Sequence, residues 1–226
     1  MSLLSLAPIL FLLPTLTTAQ DPPPIFPTLD SLNMLGTGCP LGGGGIGAGA
    51  VNGTPVFKFT MWNLNLADLD SEDSDSAGED PDDESRPANS VEKFCVEEMQ
   101  LGGGPPGYRI RIPAVTVSGV AELEEGSALK VAVEATLGDI EGGTGELTIL
   151  PADVTSSNFT AHVETSPETW SDCIADDGTV PFIRVKTTLT LYREGDEPTA
   201  GTVGSDDESL DNALSVHFQA IWEECE

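Results

Sequence analysis

The chain has 226 residues, with 38 acidic and nine basic side chains, which gives a formal net charge of −29 and an isoelectric point near 4.1. Charge of this sign repels phosphate groups, so nucleic acid and anionic lipid are excluded as non-specific partners. Only 6% of the residues are aromatic, whereas glycine (24) and proline (17) are abundant, which disfavours long helices. The hydrophobic share of 39% still suffices for one domain-sized core.

Residues 1–19 predict a secretory signal peptide. They carry no charged side chain, and Leu3–Leu13 is a nearly unbroken apolar run that Pro14 ends. Small residues at Thr17 and Ala19 predict cleavage between Ala19 and Gln20. The run is shorter than the roughly 20 residues that a membrane-spanning helix needs. We therefore expect a secreted, extracellular protein that has no membrane attachment after cleavage.

Two segments rich in proline and glycine open the predicted mature chain. Residues 20–31 are predicted to form an extended lead-in, because proline fixes φ and lacks a backbone donor. Gly42–Gly49 then holds six glycines in eight residues. A phosphate-binding loop would continue into Gly-Lys-Ser/Thr, which does not follow here. A tight connection beside Cys39 is favoured instead, and the sequence predicts no cofactor.

Strand-like stretches dominate the remainder, and no segment has the apolar stripe of an amphipathic helix. Pro113 interrupts one alternation and predicts a bulge or a strand break. The pattern predicts an all-β fold, an antiparallel β-sandwich of about eight strands in a single domain over residues 32–226, with a closed β-barrel as the alternative. The predicted strand regions are Val56–Leu66, Tyr108–Ile112, Val115–Val117, Leu129–Val133, Ile183–Leu191 and Val216–Trp222.

An acidic, disordered insertion is predicted over residues 68–90. Ten of the 17 residues in Asp68–Glu84 are acidic and none is basic, so this stretch cannot bury enough apolar surface to become ordered. Asp73, Asp75 and Glu84 match positions 1, 3 and 12 of a calcium-binding loop, but Ala77 stands at position 5, where an oxygen ligand is required. A solvated insertion is therefore favoured over a calcium site.

Four cysteines, none of them in a C-x-x-C pair, predict two disulfides in a secreted chain. Three connectivities are open. Sequential pairing, of Cys39 with Cys95 and of Cys173 with Cys225, closes two loops of similar size, each worth on the order of 4 kcal/mol in the chain-entropy model. A zinc site is disfavoured because its ligands would come from four distant segments.

Two glycosylation sequons follow from the same compartment. They are Asn52-Gly53-Thr54 and Asn158-Phe159-Thr160, and neither has proline in the middle position. Asn158 lies between a turn-like and a strand-like segment, so it is the better acceptor.

No catalytic residue is predicted. The two histidines, His162 and His217, lie in strand-like surroundings without a nucleophile elbow or a His-Glu-x-x-His pair, and a satisfied or solvent-facing role is expected for both. Nothing selects one carboxylate pair among the 38 acids for glycoside hydrolysis. Trp62, Trp170 and Trp222 could form a sugar-stacking platform, although Trp170 and Trp222 are more simply interpreted as core residues beside the disulfides.

Five short motifs, taken together, are similar to those of a family of small secreted proteins, mainly fungal with plant members, catalogued as domain of unknown function 4360. The resemblance implies an all-β, disulfide-containing, secreted protein, and it brings no catalytic residues. The motifs are Gly36-Thr37-Gly38-Cys39-Pro40, Lys93-Phe94-Cys95, Pro106-Gly107-Tyr108, Trp170-Ser171-Asp172-Cys173 and Phe218-Gln219-Ala220-Ile221-Trp222-Glu223-Glu224-Cys225.

These observations favour a disulfide-stabilised, non-enzymatic β-sandwich that acts at an extracellular or cell-wall surface. A cell-wall polysaccharide or a host surface is the expected kind of partner. Two alternatives stay open, namely a secreted hydrolase with a non-standard site and a calcium-stabilised extracellular module.

Overall fold

The computed structural model describes residues 28–39, 47–51, 54–59, 64–66, 89–195, 199–204, 214–218 and 220–226. The predicted signal peptide, Asn52, Trp62 and the acidic insertion up to residue 88, which includes the calcium candidates Asp73, Asp75 and Glu84, lie outside these residues. No helix within the described ranges is long and apolar enough to cross a membrane.

Fourteen strands and one short 3-10 turn, Pro151–Asp153, make up the regular structure of the described residues. The first seven strands are β1 (Thr28–Leu35), β2 (Gly47–Val51), β3 (Thr54–Phe59), β4 (Leu64–Asn65), β5 (Ser90–Gly102), β6 (Tyr108–Arg111) and β7 (Ala114–Leu123). The remaining seven are β8 (Ser127–Leu137), β9 (Ile140–Ile149), β10 (Asn158–Glu164), β11 (Ile183–Arg193), β12 (Gly201–Val203), β13 (Leu214–Phe218) and β14 (Ile221–Glu224).

These strands form two large antiparallel sheets and a short ribbon. One sheet has five strands in the order β1-β5-β11-β8-β9. The other has seven, in the order β2-β3-β13-β7-β12-β4, with β10 paired to β7 outside this path. The ribbon consists of β6 and β14. Within the described residues none of the sheets closes on itself, so the architecture is the predicted antiparallel β-sandwich and not a barrel.

Strand alternation supplies the core between the sheets. Val115 and Val117 of β7 are at most 1% exposed, as are Leu189 and Leu191 of β11 in the other sheet. They belong to one continuous cluster of buried apolar side chains. Alternate residues of a strand face opposite sides, so Thr116 and Thr190, which lie between these pairs, face away from the core. The period-two pattern therefore identified the core faces of these strands correctly.

The strand inventory exceeds the expected eight because several strands carry weak sequence signals. β1 begins at Thr28, inside the predicted lead-in, and β5 begins at Ser90, the last residue of the predicted insertion. The stretch Val216–Trp222, interpreted as one alternating run, is divided between β13 of the seven-stranded sheet and β14 of the ribbon. A period of two shows that a segment is extended, but it does not say which partner the segment pairs with.

The chain has two disulfides, as predicted, and they have the sequential pairing. Cys39 is bonded to Cys95 in β5, across 56 residues of sequence. Cys173 is bonded to Cys225, just after β14, across 52 residues. There is no free cysteine in the chain. The first bridge fastens β1 to its sheet, and the second fastens the chain terminus to the ribbon.

The close approach of β9 to β10 leaves no space for a side chain at Gly145. A Cβ there would collide with the backbone oxygen of Glu164 and with the Val163 side chain. We expect Gly145→Ala to lower the free energy of unfolding by about 1–3 kcal/mol, because backbone must move to relieve the overlap. Urea denaturation measures the change. Gly195→Ala is the control, since no described atom lies within 4 Å of the added carbon, and equal losses in both variants would contradict the steric explanation.

Candidate functional site

The outer face of the ribbon carries two arginines around one tryptophan. Arg109 and Arg111 of β6 alternate with Ile110, which is fully buried, so both arginines lie on the opposite face of the ribbon. The Arg109 side chain is 37% exposed, whereas Arg111 is 18% exposed and its Nε and Nη1 atoms are buried. Their guanidinium carbons lie 5.0 and 5.1 Å from the centre of the Trp170 ring. Both distances are within the range of a cation–π contact, which is worth about 0.5–1 kcal/mol at exposed sites. We call Arg109, Arg111, Glu168, Trp170 and Glu223 the Trp170 platform.

Hydrogen bonds and one disulfide fix the position of the platform. The segment after Trp170 runs along β6, where the Ser171 amide donates to the Ile110 carbonyl at 2.8 Å and the Ile110 amide donates to Ser171 Oγ at 3.0 Å. On the other side, β14 pairs with β6. The bond between Cys173 and Cys225 links these two flanks covalently. The ring and both guanidinium groups are therefore held by a frame of two strands and one irregular segment, which the disulfide closes.

Each arginine of the platform also has a carboxylate partner. Arg109 donates through Nε and Nη2 to Glu223 Oε2, at 2.8 and 2.5 Å. Arg111 Nη1 lies 2.6 Å from Glu168 Oε2. The hydrogen bond from Arg111, followed by the charge of Arg111, holds the pKa of the exposed Glu168 carboxyl below its ordinary value. Two positive and two negative charges balance, so the platform itself is neutral in a strongly acidic protein.

Trp170 and Trp222 differ in environment, which the sequence did not predict. Trp222 packs against the core cluster, as expected. Trp170 is only partly buried and is not a member of that cluster. The interpretation of Trp170 as a core residue is therefore wrong, and its ring is a surface group. The alternation of Arg109 and Arg111 was the only sequence signal for this site. It could not be recognised without knowing that the segment around Trp170 runs beside β6.

A second unusual group is the carboxyl of Glu97, inside the five-stranded sheet. Glu97 is 0% exposed and faces the same side of β5 as Cys95 and Met99. Its cross-strand partners are Met34 of β1 and Val185 of β11. Neither carboxyl oxygen has a hydrogen-bond partner among the described residues. Desolvation by these apolar neighbours raises the pKa of Glu97 to about 8, so the side chain is protonated at neutral pH.

The two histidines lie in the seven-stranded sheet. His162 of β10 pairs with Thr116 of β7, and His217 of β13 pairs with the same threonine from the other side. His162 is exposed, and its Nδ1 lies 3.0 Å from Thr116 Oγ1. His217 Nε2 is buried and has no hydrogen-bond partner among the described residues. His217 is thus neither satisfied at Nε2 nor open to solvent there.

A surface cavity of about 380 Å³ lies at the end of β7, near residues 151–157 and 200–202. Glu122 and Glu124 are its acidic lining residues. Glu124 Oε2 accepts a hydrogen bond from the Ala200 amide at 3.2 Å, so one of these two carboxylates is engaged with backbone. The cavity supplies no selected pair of general acid and general base.

Of the two predicted glycosylation acceptors, the structure describes Asn158. It is exposed at the first residue of β10, and its Nδ2 donates to the Ser156 carbonyl at 2.8 Å. Thr160 is exposed on the same face of the strand. An enzyme approaching this face would find Asn158 and Thr160 at the surface, with Phe159 buried between them.

The fold and the platform define the class of the protein, a disulfide-locked antiparallel β-sandwich with an aromatic and charged surface on its terminal ribbon. The chain belongs to the family described as Domain of unknown function (DUF4360), whose model matches residues 81–225. This confirms the resemblance given by the motifs from Lys93 onward, whereas Gly36–Pro40 precedes the matched range.

No curated protein matches the chain. Among solved structures, one similar chain is that of TmCBM61 in complex with beta-1,4-galactotriose. The sequence identity is 8%, the match covers 86% of this chain and 89% of that one, and the TM-score is 0.23. A score this low carries no argument about the site or its ligand.

Proposed function

We propose that the protein is a secreted, non-enzymatic binding module that attaches to a neutral polysaccharide at an extracellular or cell-wall surface through the Trp170 platform. The observation that carries this proposal is the partly exposed Trp170 ring, which has the guanidinium groups of two arginines within 5.1 Å of its centre, each beside a carboxylate. A polysaccharide of a host surface would present the same chemistry.

Sugar recognition needs the groups that the platform brings together. The apolar C–H face of a pyranose packs on an aromatic ring, and its neighbouring hydroxyls exchange hydrogen bonds with planar polar side chains. The half-exposed Arg109 guanidinium supplies donors, and the adjacent carboxylates of Glu168 and Glu223 supply acceptors, whereas Arg111 Nε and Nη1 are buried beneath the surface. The two charges of each sign cancel locally, and the chain as a whole carries −29, so an uncharged glycan is favoured over a polyanionic one.

Two disulfides support a location outside the cell, because such bonds persist in oxidising compartments. Cleavage after Ala19 and a glycan on Asn158 belong to the same proposal. Mass spectrometry of the secreted protein measures both. An intact N-terminus and an unmodified Asn158 in material from a eukaryotic secretory host would contradict this part of the proposal.

The hydrolase alternative is not favoured by a particular observation. His162 and His217 share Thr116 as a neighbour, and His162 is hydrogen-bonded to it.

The calcium alternative rests on Asp73, Asp75 and Glu84, which lie outside the described residues. A melting temperature that does not change with calcium or chelator would remove it.

Replacing Trp170 with alanine is expected to weaken polysaccharide binding at least about tenfold, because the stacking surface is lost. Affinity electrophoresis and sedimentation with a panel of insoluble neutral polysaccharides measure the effect. Phe182→Ala is the matched control, since Phe182 is an exposed aromatic residue just before β11 and should leave binding unchanged. The proposal fails if the wild type binds no member of the panel, or if both variants bind as the wild type does.

A further inference from the structure

The two histidines of the protein share one row of the seven-stranded sheet. The chain has only two histidines, and the register places His162, Thr116 and His217 side by side on β10, β7 and β13. Val115 and Val117, on either side of Thr116, are buried in the core. Strand alternation therefore puts the three side chains of this row on the outer face of the sheet. We call them the histidine row.

The spacing of the row suits a shared ligand. In antiparallel sheets, directly opposed residues have Cα atoms about 4.5 or 5.5 Å apart, so the two histidine Cα atoms lie about 10 Å apart across Thr116. Imidazole side chains that rise from the same face can reach over the small threonine from both sides. A spacing of this size leaves an ion above Thr116 within reach of both side chains.

Hydrogen bonding prepares His162 for coordination. Its Nδ1 lies 3.0 Å from Thr116 Oγ1. In the tautomer that carries the proton on Nδ1, the ring donates to the threonine oxygen and keeps a free lone pair on Nε2. Histidines that ligate metals have this arrangement, in which a fixed partner orients the ring through the nitrogen that does not bind the metal.

The state of His217 is the second, independent observation. Its Nε2 is buried and has no hydrogen-bond partner among the described residues. A buried polar atom without a partner is costly, and such atoms often mark the position of an ion or a ligand. This nitrogen and the Nε2 of His162 belong to the two positions that flank Thr116 in the same row.

We propose that the histidine row binds a divalent transition-metal ion through the two imidazoles. Imidazole suits copper, nickel and zinc, and in the usual order of affinities copper(II) binds most tightly. Within the described residues there is no group of three or more histidine, cysteine or acidic side chains that could hold a metal. The described residues therefore supply two ligands, and water or a further ligand takes the remaining positions. The inference does not depend on polysaccharide binding.

Titration of the untagged mature protein with copper(II) tests the proposal. Excess calcium is present so that the many surface carboxylates are occupied and do not compete for copper. Isothermal titration calorimetry gives the affinity, and electron paramagnetic resonance counts the nitrogen ligands. We expect one tight site with coupling to two nitrogens. His162→Gln and His217→Gln should each lower the affinity at least about tenfold and leave coupling to one nitrogen.

Two further variants make the test specific. Thr116→Val keeps both imidazoles but removes the oxygen that orients His162, so it should weaken binding by about tenfold with both nitrogens retained. Asp139→Asn removes an exposed carboxylate in the turn before β9 and should change nothing. The proposal is overturned if the exposed His162 can be replaced without loss of affinity, or if the bound copper shows no nitrogen coupling.

Discussion

The Glu97→Gln variant is expected to be more stable than the wild type at pH 8 by roughly 4 kcal/mol, and nearly equal to it at pH 5. The carboxyl is fully buried without a hydrogen-bond partner among the described residues. Glutamine has a similar shape and stays uncharged at every pH. The comparison therefore isolates the free energy of ionising this one group inside the sheet.

The sign follows from the two states of the chain. Burial raises the pKa of Glu97 from 4.5 to about 8 in the folded protein. Between these values the folded state keeps a proton that the unfolded state has released. Each pH unit in this window lowers the free energy of unfolding by about 1.4 kcal/mol. Below pH 4.5 the carboxyl is protonated in both states, so Glu97 does not lower the free energy of unfolding. Above about pH 8 the carboxyl is ionised in both states, and the loss of stability has reached its full size.

Urea denaturation across this pH range measures the free energy of unfolding of the wild type and of Glu97→Gln. The other acidic groups are the same in both proteins, so their contribution cancels in the difference. Glu98→Gln is the matched control, because Glu98 is the next residue of β5 and faces the other side of the sheet. Its carboxyl is paired with Arg184 at 3.6 Å, and a surface pair of this kind is worth about 0–1 kcal/mol at either pH. Parallel stability curves for Glu97→Gln and the wild type would show that the Glu97 carboxyl ionises freely.

Local patterns predicted those parts of the fold that depend on neighbours in sequence. The alternation in Leu129–Val133 and Ile183–Leu191 gave the core faces of β8 and β11, and Pro113 marked the break between β6 and β7. The even number of cysteines gave two disulfides. In each case the signal is a steric or chemical property of a few adjacent residues.

The candidate sites were not predicted because they depend on pairing between distant residues. Glu97 and Glu98 are adjacent acids in sequence, and only the face of β5 toward the core makes one of them buried. His162 and His217 are 55 positions apart and meet through Thr116 of a third strand. Trp170 lies far from Arg109 and Arg111 in sequence. Strand register determines which distant residues become neighbours, and the packing of the whole sheet fixes that register.

Removing the disulfide of the ribbon, in the double variant Cys173→Ser/Cys225→Ser, is expected to cost about 4 kcal/mol of stability and to abolish polysaccharide binding. The bridge closes a loop of 52 residues, so its loss frees a large amount of chain entropy in the unfolded state. It also releases the segment after Trp170 from β14. The ring and the guanidinium groups then lose the frame that holds them together.

The double variant Cys39→Ser/Cys95→Ser separates these two effects. Its loop, of 56 residues, is nearly the same size, so the expected loss of stability is also about 4 kcal/mol. This bridge joins the end of β1 to β5 and makes no connection to the ribbon. Thermal unfolding should therefore show equal destabilisation of the two double variants. Polysaccharide sedimentation, carried out below the melting temperature of each variant, should show binding only in this second variant. Equal loss of binding in both would mean that general stability, and not the locked ribbon, sustains the Trp170 platform.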